Sequence, residues 1–250
     1  MEFFVTILSS LLCLFVYVRM YKKDQPQPIG FLKAALPVGL GAFAPFLSTT
    51  LFLLIGLAVA KFAGTTVSQS ISSAPLKSFV SAFLTAGFPE EFVKFILLLI
   101  VLWIAKPKNV YEYAFLGAGI GFGFTVLEDY LYGDGNLSAA LIRIPTFASH
   151  MVFGMIMGLN LGIARHKKLF GGSAFMNRLL AFCLPLLWHT VYDAFTVANF
   201  ALFTEDSSLQ DTGLLVGMGI MVLSIVLHIV LLVRFRKKAP IYCAMETVRK

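Results

Sequence analysis

The chain has 250 residues, of which 58% are apolar and only 13% charged. A soluble domain of this length has no means of hiding so much apolar surface, so lipid is its solvent. The formal net charge of +7 raises nucleic acid as a partner, but the basic residues sit in short clusters beside apolar stretches, a pattern of membrane topology that excludes a nucleic-acid groove.

A membrane helix needs roughly 20 apolar residues to cross the hydrocarbon core. Seven stretches qualify, at about 2–20, 32–60, 76–105, 112–133, 139–164, 174–203 and 213–234. They are too long and continuous for the alternating strands of a barrel. The expected fold is therefore all-α, a polytopic bundle of seven transmembrane helices forming a single integral membrane domain over residues 1–250. The first stretch is followed by basic residues and preceded by none, the reverse of a secretory signal, so it reads as an uncleaved helix. Arg19, Lys22, Lys23 and Lys33 lie between the first two stretches, and Lys106 and Lys108 between the third and fourth. Arg165, Lys167, Lys168 and Arg178 lie between the fifth and sixth, and Arg234, Arg236, Lys237, Lys238, Arg249 and Lys250 follow the seventh. The opposite loops hold only Lys61 and Lys77. This asymmetry places the N-terminus outside and the C-terminus in the cytoplasm. Gly154, Gly158 and Gly162, and the pairs Gly117/Gly121, Gly119/Gly123 and Gly213/Gly217, recur every four residues, the spacing that lets helix backbones approach. Cys13, Cys183 and Cys243 show no CxxC spacing, so neither a disulfide framework nor a thiolate zinc site is supported.

A charge in the hydrocarbon core costs roughly a few kcal/mol, so each one asks for a reason. The third stretch carries Pro89-Glu90-Glu91-Phe92-Val93-Lys94 near its middle, the fourth Phe124-x-x-x-Glu128, the fifth His150 and Arg143, the sixth His189-x-x-x-Asp193. Glu90 and Glu91 stand four and three residues before Lys94, on one helical face. His189 and Asp193 also share a face, as a pair that ligates one metal or as an imidazole oriented by a carboxylate. Two carboxylates with one cation resist double ionisation, which suits one glutamate to act as a general base. Counted at about 1.5 Å per residue from the outer ends, Glu128, His150, Asp193, Glu90 and His189 all fall in the outer half or near the midplane. Asp129 and Glu112, nearer helix ends, read as solvated. Arg143 reads as snorkelling to the outer surface, His166 as a cytoplasmic loop residue and His228 as packing. Met151, Met155 and Met157 read as core filler.

In this order on consecutive helices, Glu90-Glu91-x-x-Lys94, Phe124-x-x-x-Glu128, His150 and His189-x-x-x-Asp193 resemble the PrsW family of intramembrane proteases. That family is grouped with the CAAX prenyl proteases and the APH-1 subunit of gamma-secretase. Lys94 and Glu128, where the CAAX enzymes carry Arg and His, point to PrsW within the group. The resemblance covers roughly residues 30–200. It implies an endopeptidase that cuts single-pass membrane proteins, such as an anti-sigma factor, near the outer face. It implies Glu90 or Glu91 activating water, with Glu128, His150, His189 and Asp193 as metal ligands or transition-state stabilisers.

Two imidazoles with carboxylates suit Zn²⁺ with one position left for water, which the ion would acidify. Without a metal, Glu90 is the base and His189, oriented by Asp193, stabilises the oxyanion. Two other functions remain open on the residues. One is a non-catalytic scaffold like APH-1, which has no need of the Glu90-Glu91 pair. The other is a proton or ion transporter, in which polar groups reaching both faces are expected. The partners expected are membrane lipid and a membrane-anchored substrate, without nucleic acid. The short loops suit a prokaryotic plasma membrane.

Overall fold

The computed structural model describes residues 2–22, 29–63, 71–132, 144–197 and 199–248, and all secondary structure among them is helical apart from an isolated antiparallel bridge between Asn109 and Glu246. In lipid each backbone N–H and C=O must be satisfied within its own segment, which is why these apolar runs wind into helices. The elements in order are α1 (Glu2–Lys22), α2 (Phe31–Ala63), α3 (Ala74–Ala82), a π-helical turn (Phe83–Gly87), α4 (Phe88–Ala105), α5 (Val110–Tyr132), α6 (Ser149–Leu169), α7 (Phe175–Thr196), a 3₁₀ turn (Phe200–Phe203) and α8 (Ser207–Ala244). Among the described residues, five segments are long and apolar enough to cross a membrane: Phe31–Ala58, Val110–Leu131, Ile144–Leu169, Phe175–Thr196 and Ser207–Ala244. The chain is a multi-pass membrane protein. Helix α4 is outside that set, and it carries Glu90, Glu91 and Lys94 within its 18 residues.

Four stretches differ from the sequence expectation, each for a local reason. The stretch expected as one helix over 76–105 is helical without a break over 74–105, with a π turn set into it immediately before Pro89. Proline has no N–H to donate to Thr85 and its ring crowds that carbonyl, so the ladder slips to a wider register there. Glu90 and Glu91 follow directly on that turn, midway along the helical run. The stretch expected over 139–164 has its α-helix from Ser149 to Leu169, with Phe147 and Ala148 in a turn, so His150 lies in a first turn. A depth counted along an unbroken helix therefore does not hold for His150. Arg143 lies outside the described residues. Helix α7 stops at Thr196, where Asn199 takes over its backbone: the side-chain carbonyl accepts from Ala201 N–H at 2.9 Å and the amide donates to Gly213 O at 2.8 Å. Helix α8 runs on past residue 234 to Ala244 because Arg234, Arg236, Lys237 and Lys238 are good helix formers.

The chain divides into two compact units, one of residues 1–45, 94–185 and 227–250, the other of 46–93 and 186–226. In the first, α5 is central: 83% of its spanning residues are buried, against 17% for α8. Its partner α6 approaches through the glycines singled out in the sequence. A Cβ on Gly117 would collide with the Gly154 carbonyl, and one on Gly121 with the carbonyl of His150. Tyr17 stacks on Phe115 at 4.6 Å, seating α1. Met151, Met155 and Met157 fill this core. Asp129 and Glu112, expected in solvent, are buried: Asp129 accepts from Ser10 Oγ at 3.4 Å, and Glu112 pairs with Lys33 Nζ at 2.7 Å. Helix-end position did not expose them because α1 and α2 cover those ends. His166, expected in a loop, is in the last turn of α6 with Nδ1 2.8 Å from Glu246 O.

In the second unit, Ser78 of α3 donates to the Ala194 carbonyl of α7, and Gly87 of the π turn lies against Thr190 of α7 so closely that a Cβ there would meet the Thr190 hydroxyl. These contacts lock the start of α4 beside the second half of α7.

Candidate active site

Within the second unit, α4 and α7 bring Glu90, Glu91, His189 and Asp193 together. His189 is buried, and its Nδ1 lies 2.7 Å from Glu91 Oε1. Its Nε2 lies 3.3 Å from Asp193 Oδ2, one turn along the same helix, and 3.9 Å from Glu90 Oε2. The facing nitrogen and carboxylate oxygens of Glu90, Glu91 and His189 all lie within 4.8 Å of one another. A carboxylate accepts hydrogen bonds and does not donate them. Nδ1 therefore donates to Glu91, and Nε2 faces the carboxylates of Asp193 and Glu90, to which it donates when protonated and beside which it would offer its lone pair to a bound cation. The Glu91 side chain is fully buried, whereas Glu90 keeps 17% and Asp193 13% of theirs exposed, so the Glu90–Asp193 side of the ring is the more open one.

This donor set fits a metal ion. Two ligands of one tetrahedral zinc, each at about 2.0–2.2 Å, stand about 3.3–3.6 Å apart, which is the spacing of His189 Nε2 and Asp193 Oδ2. A second carboxylate on Nδ1 is the usual support for a metal-binding histidine. A divalent cation also offsets three carboxylates gathered around one imidazole.

Within the first unit, Lys94, Phe124, Glu128 and His150 form a second group on α4, α5 and α6. Lys94 is fully buried. Its Nζ lies 2.9 Å from His150 Nδ1 and 3.6 Å from the centroid of Phe124, whose π-face stabilises the ammonium. His150 Nε2 lies 2.6 Å from Glu128 Oε2. An ammonium only donates, so here Nδ1 accepts and Nε2 faces the Glu128 carboxylate in an ion-pair contact.

All the residues predicted from the sequence thus fall into these two groups, and α4 contributes to both, with Glu90 and Glu91 in one and Lys94 in the other. The sequence pairing of Lys94 with the glutamates missed that its imidazole partner is His150. Spacing did not single out Gly87 and Thr190, although a glycine two residues before Pro89 and a threonine beside His189 were visible signals. Phe124 was part of the motif without a role, which the cation above its ring now supplies.

A membrane-spanning helical chain with buried carboxylates on both sides of an imidazole belongs to the class of proteins that carry polar chemistry within the bilayer. More specifically, a family profile described as "PrsW family intramembrane metalloprotease" matches residues 31–231, and the chain belongs to that family. It is 32% identical over 133 residues to "Protease PrsW" of Oceanobacillus iheyensis, an alignment covering 50% of this chain and 58% of the relative. It is 34% identical over 119 residues to "Protease PrsW" of Bacillus subtilis, covering 46% and 54%. It is 31% identical over 122 residues to "Protease PrsW" of Halalkalibacterium halodurans, again covering 46% and 54%. The chain spans a little over half the length of these curated relatives. No solved structure matches it significantly.

Proposed function

We propose that the chain is an intramembrane endopeptidase that hydrolyses single-pass membrane proteins, such as an anti-sigma factor, near the outer face of a prokaryotic plasma membrane. Seven spans with the N-terminus outside complete this reading, supported by the basic clusters on the opposite side. The observation that carries it is the arrangement around His189: one buried carboxylate on Nδ1, and two partly exposed carboxylates facing Nε2. A scaffold has no use for that arrangement.

Glu90, the most exposed of the three carboxylates and the farther of the two that face Nε2, takes the proton of the attacking water. Glu91 orients His189 by fixing its tautomer. His189 and Asp193 are the pair that would hold a zinc ion. When bound, the ion would acidify water and polarise the scissile carbonyl. Lys94, His150 and Glu128 form a line of polar contacts that holds the His150 ring from both sides.

The test is elemental analysis of protein purified in detergent, joined to substrate accumulation in cells. The expected result is about one zinc per chain, lost in His189→Ala and Asp193→Ala, with uncut substrate accumulating in Glu90→Gln. Unchanged proteolysis in Glu90→Gln would overturn the assigned roles. If the same preparation held no metal, the oxyanion role of His189 would stand in its place.

A further inference from the structure

The last helix, α8, carries a buried histidine outside both groups. His228 is buried, its Nδ1 lies 3.3 Å from Ser149 Oγ, and its Nε2 has no hydrogen-bond partner among the described residues. Leaving a buried ring nitrogen unsatisfied is costly, and an apolar side chain would fill the same space without that cost. A polar group kept in such a place asks for a role beyond packing.

Its surroundings supply one. Ser149 is the first residue of α6 and His150 the second. The residue that caps α6, Ala148, makes no side-chain cap hydrogen bond, so the helix start that aims His150 lacks the usual anchor. Ser149 is held by His228 instead. The Phe153 ring, one turn further on, stands edge-on to both imidazoles, 5.4 Å from His228 at 84° and 6.2 Å from His150 at 78°. His150 is thus bounded by Phe124 on one side, at 4.6 Å, and by Phe153 on another, with His228 behind Phe153 and behind Ser149.

We propose that His228 is a positioning residue for His150: through Ser149 and Phe153 it fixes the first turn of α6 and the plane of the His150 ring. The proposal rests on the protease reading for its kinetic consequence, and on geometry alone for its spectroscopic one.

The experiment compares His228→Phe, His228→Asn, Ser149→Ala and the double variant Ser149→Ala/His228→Phe, purified in detergent, with a membrane-embedded peptide reporter. His228→Phe keeps an aromatic edge against Phe153 and loses the ring nitrogen. Its kcat falls about tenfold, as for loss of a supporting partner of a functional imidazole, with KM unchanged. His228→Asn, which returns a polar atom near Nδ1, recovers most of the loss. Ser149→Ala reproduces it, and the double variant is no worse than either single one. The chain has only 4 histidines, so their ring-nitrogen NMR signals are separable. The His150 signals shift in His228→Phe and those of His189 stay in place. Full kcat in His228→Phe or in Ser149→Ala overturns the proposal, as do losses that multiply in the double variant or a His150 signal that does not move. Should His228→Phe fail to fold, Ser149→Ala and His228→Asn decide between the same two outcomes. Absence of any cleavage by the purified wild type would instead sink the protease reading and leave the NMR result to judge the proposal.

Discussion

His189 and His150 are each held on both ring nitrogens, yet by partners of opposite kind. His189 has carboxylates on both edges, so both of its nitrogens face acceptors. His150 lies between an ammonium and a carboxylate, so Nδ1 accepts from Lys94 and Nε2 faces Glu128. The same side chain thus stands in two surroundings of one molecule, and the roles proposed for it differ accordingly. What assigns the roles is the partner on Nδ1: Glu91 in one case, Lys94 in the other. Neither partner is near in sequence to the histidine it serves.

The contrast breaks most directly at those partners. Glu91→Leu removes the acceptor that fixes His189, and zinc affinity and cleavage are expected to fall about 10–100-fold, read by metal titration and reporter turnover. Lys94→Met removes the donor to His150 and the cation over Phe124. Ring-nitrogen NMR should then show the His150 tautomer released while His189 stays fixed, with stability lowered by about 1.5–3 kcal/mol in a denaturation series. Lys94→Arg should not restore the wild-type signal, because a planar fork does not replace a point donor above a ring. Gly87→Ala places a methyl group against the Thr190 hydroxyl and so parts α4 from α7. Turnover should fall about tenfold, and Thr190→Ala added to it should return part of the loss, whereas Gly87→Ala alone should leave the His150 signals untouched.

The smallest effect lies outside the membrane, at the start of α8. Asp206 accepts from the Ser208 hydroxyl at 2.8 Å and from the Leu209 and Ser208 N–H groups at 3.4 and 2.9 Å, which hold its carboxyl below the ordinary range. The stabilisation of this helix start is therefore complete above the ordinary carboxylate range and is lost as pH falls through the depressed value. Amide exchange at Ser208 and Leu209 should rise on acidification in the wild type and be high at neutral pH in Asp206→Ala. Neither histidine group should respond to that variant.

Much of this was legible in the sequence because it depends on local spacing. Composition demanded helices in lipid, and the bounds of α2 and α5 fell within a few residues of expectation. The i, i+4 relation of His189 and Asp193 held. The four-residue glycine pattern located the close seam of α5 and α6. What the sequence hid was of longer range. Spacing shows that Glu90, Glu91 and Lys94 share a face, but it does not say that Glu91 meets a histidine 98 residues away or that Lys94 meets one 56 residues away. Asp129 and Glu112 looked solvated because helix-end position was read without the helices that cover them. Pro89 stands in plain view in the sequence, but the π turn before it and the seat of Gly87 against Thr190 of α7 are matters of packing.

The central claim is that hydrolysis is carried by the carboxylate group around His189, with Glu90 as the base. The most direct measurement is single-turnover cleavage of a membrane-embedded reporter by purified wild type and Glu90→Gln under identical conditions. The account predicts a rate lowered about 10²–10⁴-fold, with zinc content and melting temperature kept. A Glu90→Gln protein that cleaves at the wild-type rate would contradict it.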